Sequence, residues 1–177
     1  INSKSTRTKI EYTKQIIRKG GYKKPLINSS CPVVVKLIKT RYPELWDNVL
    51  PVISPVKLAA RMAREEAISR TGYKPEEIGV FFLSPCPAKV AEGKNYSTAS
   101  RPDLDGIFAI SEIYLPLLKE MNKLKGPGKL SQSGIFGFQW AISGGESGVL
   151  DCDKDLAADG IENVMNVLEE IERDRLI

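Results

Sequence analysis

The sequence predicts an α/β fold: a three-layer α/β/α arrangement around a mostly parallel sheet of about four strands. Three observations predict it. Strand-like and helix-like segments alternate along the chain, in the order βαβαβ(α)βα. The most strand-like run, EIGVFFLS at 77–84, is apolar nearly throughout, as in a strand covered on both faces. Three strand ends share one junction, SSCP, ISP and SPCP, in which a small polar residue or cysteine meets a proline suited to the first turn of a helix. A chain of 177 residues is long enough to give such a domain a sizeable core.

Each element follows in order. Residues 1–24 form an N-terminal helical segment, with TKIEYTKQIIRK (8–19) as its helix and Gly20-Gly21 as the stop. Residues 25–124 form the α/β core. There a short apolar run, LINSS, leads through Cys31-Pro32 into a helix that Pro43 closes. NVLPVIS (48–54) reads as a strand that Pro51 places near an edge. Residues 54–72 read as an amphipathic helix with Ser54 as N-cap and Pro55 at its first position. The strand 77–84 follows, then a strand DGIFAIS (105–111) and a helix 111–124 in which Pro116 predicts a kink. Residues 125–150, rich in Gly and Ser, read as loop, with GGESG (144–148) as flexible chain. Residues 151–177 are a C-terminal segment, with DKDLAADGIENVMNVLEEIERDRLI (153–177) as one long acidic helix.

Composition excludes several functions. Hydrophobic residues make up 42% and charged residues 27%, the balance of an ordinary globular protein. No apolar run is long enough to span a bilayer, so no membrane is expected. The net charge of +4 gathers early, at Lys4, Arg7, Lys9, Lys14, Arg18, Lys19, Lys23 and Lys24. It reads as a solvated helix face, because no aromatic platform accompanies it, and no nucleic acid is expected. The chain has no histidine, which removes Cys–His nucleophile pairs and histidine-ligated zinc. Its three cysteines, Cys31, Cys86 and Cys152, are too few and too scattered for a secreted disulfide framework, and a reducing cytoplasm fits them better. No GxGxxG follows the first strand, so dinucleotide binding is not expected.

The shared junction carries the chemistry. In a parallel sheet the carboxyl ends of the strands line one edge, and helix N-termini sit just beyond. Cys31, Ser54 and Cys86 are expected at that edge. A cysteine at a helix start meets unpaired N–H groups and the positive dipole end, which favour the thiolate, a nucleophile or metal ligand. Lys89 lies one helical turn beyond Cys86 and can face negative charge on a ligand. Cys152, between Asp151 and Asp153, reads as incidental. A thiol enzyme using Cys86 with Lys89 is the unrelated alternative, weakened by the lack of a histidine partner.

At these residues the sequence resembles a known family. NSSCPVVVKLI, then PVISPVKLAARMA, then FFLSPCPAKVAE, then DLDGIFAISE resemble the C-terminal, H-cluster domain of the iron-only ([FeFe]) hydrogenase large subunit. That family carries the signatures TSCCP and PCxxK and a later pair of cysteines among glycines. The resemblance runs from about residue 25 to 122 and more loosely to the end, where the tail is similar to a sensor-like branch.

It implies one lobe of the hydrogenase catalytic domain. It implies that Cys31 and Cys86 ligate the [4Fe–4S] part of the H-cluster, that Lys89 hydrogen-bonds a cyanide of the di-iron part, and that Pro32 and Pro85 line the pocket. Glu92 falls where the family has a glutamate of the proton path. H2 and protons are the implied substrates, and a ferredoxin-type redox protein the implied partner. Two departures stand out. Ser30 occupies the place of the cysteine that passes protons to the di-iron site, and a hydroxyl is a far weaker acid than a thiol. The third signature does not occur before residue 177, and the chain starts at Ile1. The chain therefore reads as a piece of a longer parent. By itself it is expected to bind no cluster, to be inactive, and to self-associate through an exposed lobe surface. The alternative within the family is a non-enzymatic hydrogen or redox sensor, or an iron–sulfur assembly factor.

Overall fold

The computed structural model describes residues 3–93, 103–124, 126, 138–139, 142–150 and 154–176. Cys152 and much of 125–150 lie outside the described residues. The chain divides into two compact units, one of Ile1–Pro55 with Ser133–Ile177 and one of Val56–Gln132.

In the first unit, helix α1 spans Ser3–Lys19, with Arg18 and Lys19 in its last turn, where cations oppose the negative dipole end. It begins earlier than the apolar pattern marks, because its inward face is largely polar: Thr6, Lys9 and Thr13 are buried with Ile10 and Ile16 at three- and four-residue spacing. The predicted strands around residues 27 and 49 meet as a single parallel bridge, Ile27 with Val49. Ile27 donates to Asn48 O at 2.8 Å, and Leu50 donates to Ile27 O at 2.9 Å. Pro25 and Pro51 flank this bridge and lack the N–H that would extend it.

Helix α2 spans Pro32–Arg41, with Cys31 as N-cap and proline at its start. A 3₁₀ turn, Pro43–Asn48, follows. The unit's main core joins Ile38, Tyr42 and Leu45 to Leu168 and Ile171 of the C-terminal helix. That helix covers Ile161–Glu172, shorter than the acidic stretch suggests. It starts after Gly160, whose φ of 81° is outside helical space and is one that glycine alone adopts freely.

In the second unit, helix α3 spans Pro55–Thr71, its first residue being the last of the first unit. Two parallel strands pair in register: β1, Phe81–Ser84, and β2, Gly106–Ala109. Helix α4, Pro87–Gly93, lies between them in sequence, and α5, Ile110–Met121, follows β2 directly. The α/β class with parallel pairing is thus present, with two strands among the described residues.

β1 is shorter than the apolar run because neighbouring backbone groups are engaged elsewhere. Asp105 accepts the Val80 N–H at 2.6 Å through its carboxylate, and its own N–H reaches Val80 O at 2.8 Å. Glu77 turns back to the Lys74 N–H at 2.8 Å within a 3₁₀ turn. α5 continues through Pro116, and Glu112 accepts the Ala109 N–H at 3.0 Å at its start.

Candidate functional site

Ser30 and Cys31 sit where the Ile27 bridge gives way to α2. Cys31 has extended backbone angles (φ −95°, ψ 114°), and its carbonyl accepts the Val35 N–H at 3.1 Å, the first bond of the helix. The residue is exposed and its thiol is free. Pro32 follows at the first helical position, where a missing N–H costs nothing. Asn28 shapes the preceding turn by accepting the Ser30 N–H at 3.0 Å, a side-chain mimic of a backbone turn. Ser29 donates to Val52 O at 3.0 Å and ties the turn to the segment beyond the bridge.

The Ser30 hydroxyl is held by charged groups. Lys9, from α1, has a side chain only 2% exposed, and its ammonium donates to Ser30 Oγ, to Glu146 and, at 3.1 Å, to Asn28 Oδ1. Ser30 Oγ donates in turn to Glu146 Oε2 at 3.3 Å, and Asn28 Nδ2 donates to the same oxygen at 2.7 Å. A buried ammonium is tolerated only when a counter-charge and hydrogen-bond acceptors surround it, and this arrangement provides both.

Glu146 lies in GGESG, which composition alone marks as flexible chain. The segment is instead a built turn. Gly145 N–H reaches Ile142 O at 3.0 Å, Gly148 N–H reaches Gly144 O at 3.0 Å, and Ser147 Oγ donates to Asp155 at 2.8 Å. Gly144 has φ 74°, and a Cβ on Gly145 would lie 1.9 Å from Gln139 O, so both glycines are required by the geometry. Lys9 and Glu146 are the residues that sequence reasoning missed. A lysine on the inward stripe of α1, and two glycines directly before a glutamate, were the available signals.

In the second unit, Cys86 follows β1 at the start of α4. Ser84, 1% exposed, accepts the Cys86 N–H at 3.1 Å and donates to Cys86 O at 3.3 Å, which fixes the cysteine's backbone between Pro85 and Pro87. Cys86 O also accepts the Val90 N–H at 3.2 Å. Cys86 is half-buried and free. Lys89 and Glu92 follow at successive three-residue steps, which place them on neighbouring positions of one helix side, and both are half-buried. The junction thus carries Cys86, Lys89 and Glu92 on one short segment, as the other junction carries Ser30, Cys31 and Pro32 in the first unit.

Among the described residues, no group of three or more Cys, His, Asp or Glu side chains is placed to hold a metal ion. A [4Fe–4S] cluster takes four thiolate-type ligands. Cys31 and Cys86 are the two cysteines described, one in each unit, so neither unit by itself holds a ligand set for such a cluster among the described residues. No helix among the described residues is long and apolar enough to cross a membrane.

Comparison with known proteins places most of the chain in one family. The family described as "Iron only hydrogenase large subunit, C-terminal domain" matches residues 4–126. The periplasmic [Fe] hydrogenase large subunit of Nitratidesulfovibrio vulgaris is 26% identical over 105 residues, 58% of this chain and 25% of that protein. The NADP-reducing hydrogenase subunit HndD of Solidesulfovibrio fructosivorans is 28% identical over 102 residues, covering 56% and 17%. Iron hydrogenase 1 of Clostridium pasteurianum is 28% identical over 173 residues, 92% of this chain and 28% of that protein. The match therefore spans a quarter or less of the length of each of the first two relatives and 28% of the third.

Proposed function

Because the chain belongs to the family of C-terminal domains of iron-only hydrogenase large subunits, we propose that it is one lobe of an H-cluster domain in a longer hydrogenase-like parent. Cys31 and Cys86 give their thiolates to the [4Fe–4S] part. Lys89 donates a hydrogen bond to a diatomic ligand of the di-iron part, and Pro32 and Pro85 border the pocket. The group, when bound, supplies the redox chemistry of H2 and protons. This chain's residues orient and enclose it, with Ser30 and Glu92 near the route of the proton. H2 and protons as substrates, and a ferredoxin-type redox partner, belong to the same proposal, and the name of one relative adds an NADP-linked partner.

The observation that carries the reading is the repeated junction within the matched residues. Each of Cys31 and Cys86 stands at a helix start beside proline, and a side-chain turn fixes the backbone there: Asn28 holds the N–H of Ser30, the residue before Cys31, and Ser84 holds that of Cys86 itself. The test is anaerobic reconstitution of the parent protein with iron and sulfide, followed by EPR. A reduced cubane signal that disappears in Cys86→Ala is expected. A parent that takes up no iron overturns the proposal.

A sensory role, in the sensor-like branch of the family, is favoured over rapid turnover by Ser30. A hydroxyl replaces the acidic thiol, and it is already engaged by Lys9 and Glu146. Hydrogen uptake by the reconstituted parent with an artificial electron acceptor separates the two. Slow turnover with tight H2 binding is expected, and turnover on the order of hundreds per second would point to catalysis. Self-association is proposed through the exposed face of β1 and β2, where Phe81, Leu83 and Phe108 lie uncovered.

A further inference from the structure

We propose that Lys9 and Glu146 are positioning residues for Ser30, clamping its hydroxyl so that its oxygen accepts from the ammonium and its proton is committed to the carboxylate. The inference rests on the reading of Ser30 as a site residue and adds the device that sets its orientation.

The donor and acceptor count supports this. An ammonium has three N–H donors, and Ser30 Oγ, Asn28 Oδ1 and Glu146 Oε1 are among the acceptors that Lys9 reaches. A serine hydroxyl has one hydrogen to give, and the carboxylate oxygen that can take it, Glu146 Oε2, lies 3.3 Å away. Asn28 closes the ring by accepting from Lys9 and from the Ser30 N–H while donating to Glu146 Oε2 at 2.7 Å. The side chains come from three places far apart in sequence: α1, the turn before α2 and the 142–150 turn. Lys9 is 2% exposed and Glu146 is 15% exposed, so water competes little for these bonds.

The clamp also selects the residue at position 30. It needs a group that both accepts strongly and donates, which a hydroxyl does. A thiol is a weak acceptor on a longer bond, and it would weaken the contact of a buried ammonium at this position. Serine at 30 and the Lys9–Glu146 pair are therefore one matched set. A hydroxyl committed to Glu146 is not offered to a ligand outside the clamp.

The experiment reads the Lys9 ammonium directly, by proton–nitrogen NMR of the side-chain amines in the 177-residue chain at neutral pH and low temperature, without iron. A slowly exchanging ammonium signal is expected, lost in Lys9→Met, and shifted or broadened away in both Ser30→Ala and Glu146→Gln. Lys14→Arg should leave it unchanged. Thermal unfolding adds a second reading: Ser30→Cys should lower the midpoint in the wild-type background and by less than half as much in Lys9→Met. An ammonium in fast exchange with solvent, one indifferent to Ser30→Ala, or equal midpoint losses in the two backgrounds overturns the proposal. Because no cluster takes part, an empty parent would sink the hydrogenase reading and leave this result standing, and the reverse holds equally.

Discussion

The two units hold their cysteines by different means. In the first, the segment before Cys31 is gripped by a charged network of Lys9, Asn28, Ser30 and Glu146, over a closed core of Ile38, Tyr42, Leu45, Leu168 and Ile171. In the second, Cys86 is fixed by a neutral hydroxyl, Ser84, beside a sheet of two strands among the described residues that leaves one face exposed. Phe81, Leu83 and Phe108 share that open face by the register of the strands, with Phe81 and Phe108 ring centroids 5.6 Å apart. A charged grip is strong but fails badly when half of it is removed. A hydroxyl turn is weaker and fails gently.

The largest expected effect breaks the first arrangement. Lys9→Met leaves the Glu146 carboxylate half-buried without the Lys9 counter-charge, and the first unit should lose about 3 kcal/mol. Replacing both, as Lys9→Met with Glu146→Leu, should recover most of it, because the costly species is the unpaired charge. Trp46 lies in the first unit and the sequence of the second, Val56–Gln132, contains no tryptophan, so urea unfolding followed by tryptophan fluorescence reports this effect. A single variant as stable as wild type would show that the pair carries no weight.

The second unit should respond less. Ser84→Ala removes the acceptor of the Cys86 N–H and should cost about 1–2 kcal/mol. Hydrogen exchange at the Cys86 and Val90 amides should quicken roughly tenfold, with no change in tryptophan fluorescence. Unchanged exchange would mean that Pro85 and Pro87 fix the turn without help.

The smallest effect sharpens the first unit's core. Burial, opposed in part by Arg41 and reinforced by the Glu169 carboxylate, raises the Tyr42 phenol above its ordinary 10.0. A raised value means the neutral phenol stabilises the fold fully below about pH 10, and that this stability is lost as pH rises through the raised value. Tyr42→Phe forfeits the 3.3 Å bond to Glu169, costing about 1 kcal/mol at neutral pH. It should also flatten the alkaline loss, so that wild type and variant converge at high pH. Parallel curves at all pH values would remove Tyr42 from that role.

Much of this was legible in the chain itself. The proline-led helix starts and the junctions at Cys31 and Cys86 follow from local chemistry that a few adjacent residues fix. The helix limits were less legible, because Gly160 cuts a run that is helix-like in composition up to its neighbours. The strands near residues 27 and 49 shrink to one bridge because the prolines beside them withhold donors. The Lys9–Glu146 pair was out of reach for a different reason. Its members are 137 residues apart, and each looks like an ordinary surface charge until the fold buries it. Long-range pairing of that kind leaves no periodic trace in one sequence.

The central claim is that Cys31 and Cys86 serve one iron–sulfur cluster. Its most direct test is the iron and acid-labile sulfide content of the anaerobically reconstituted parent, measured for wild type, Cys31→Ala, Cys86→Ala and the double variant. If the claim holds, each single variant loses the cubane's iron and the double variant loses no more than either. Additive losses, or wild-type iron in either single variant, would contradict it.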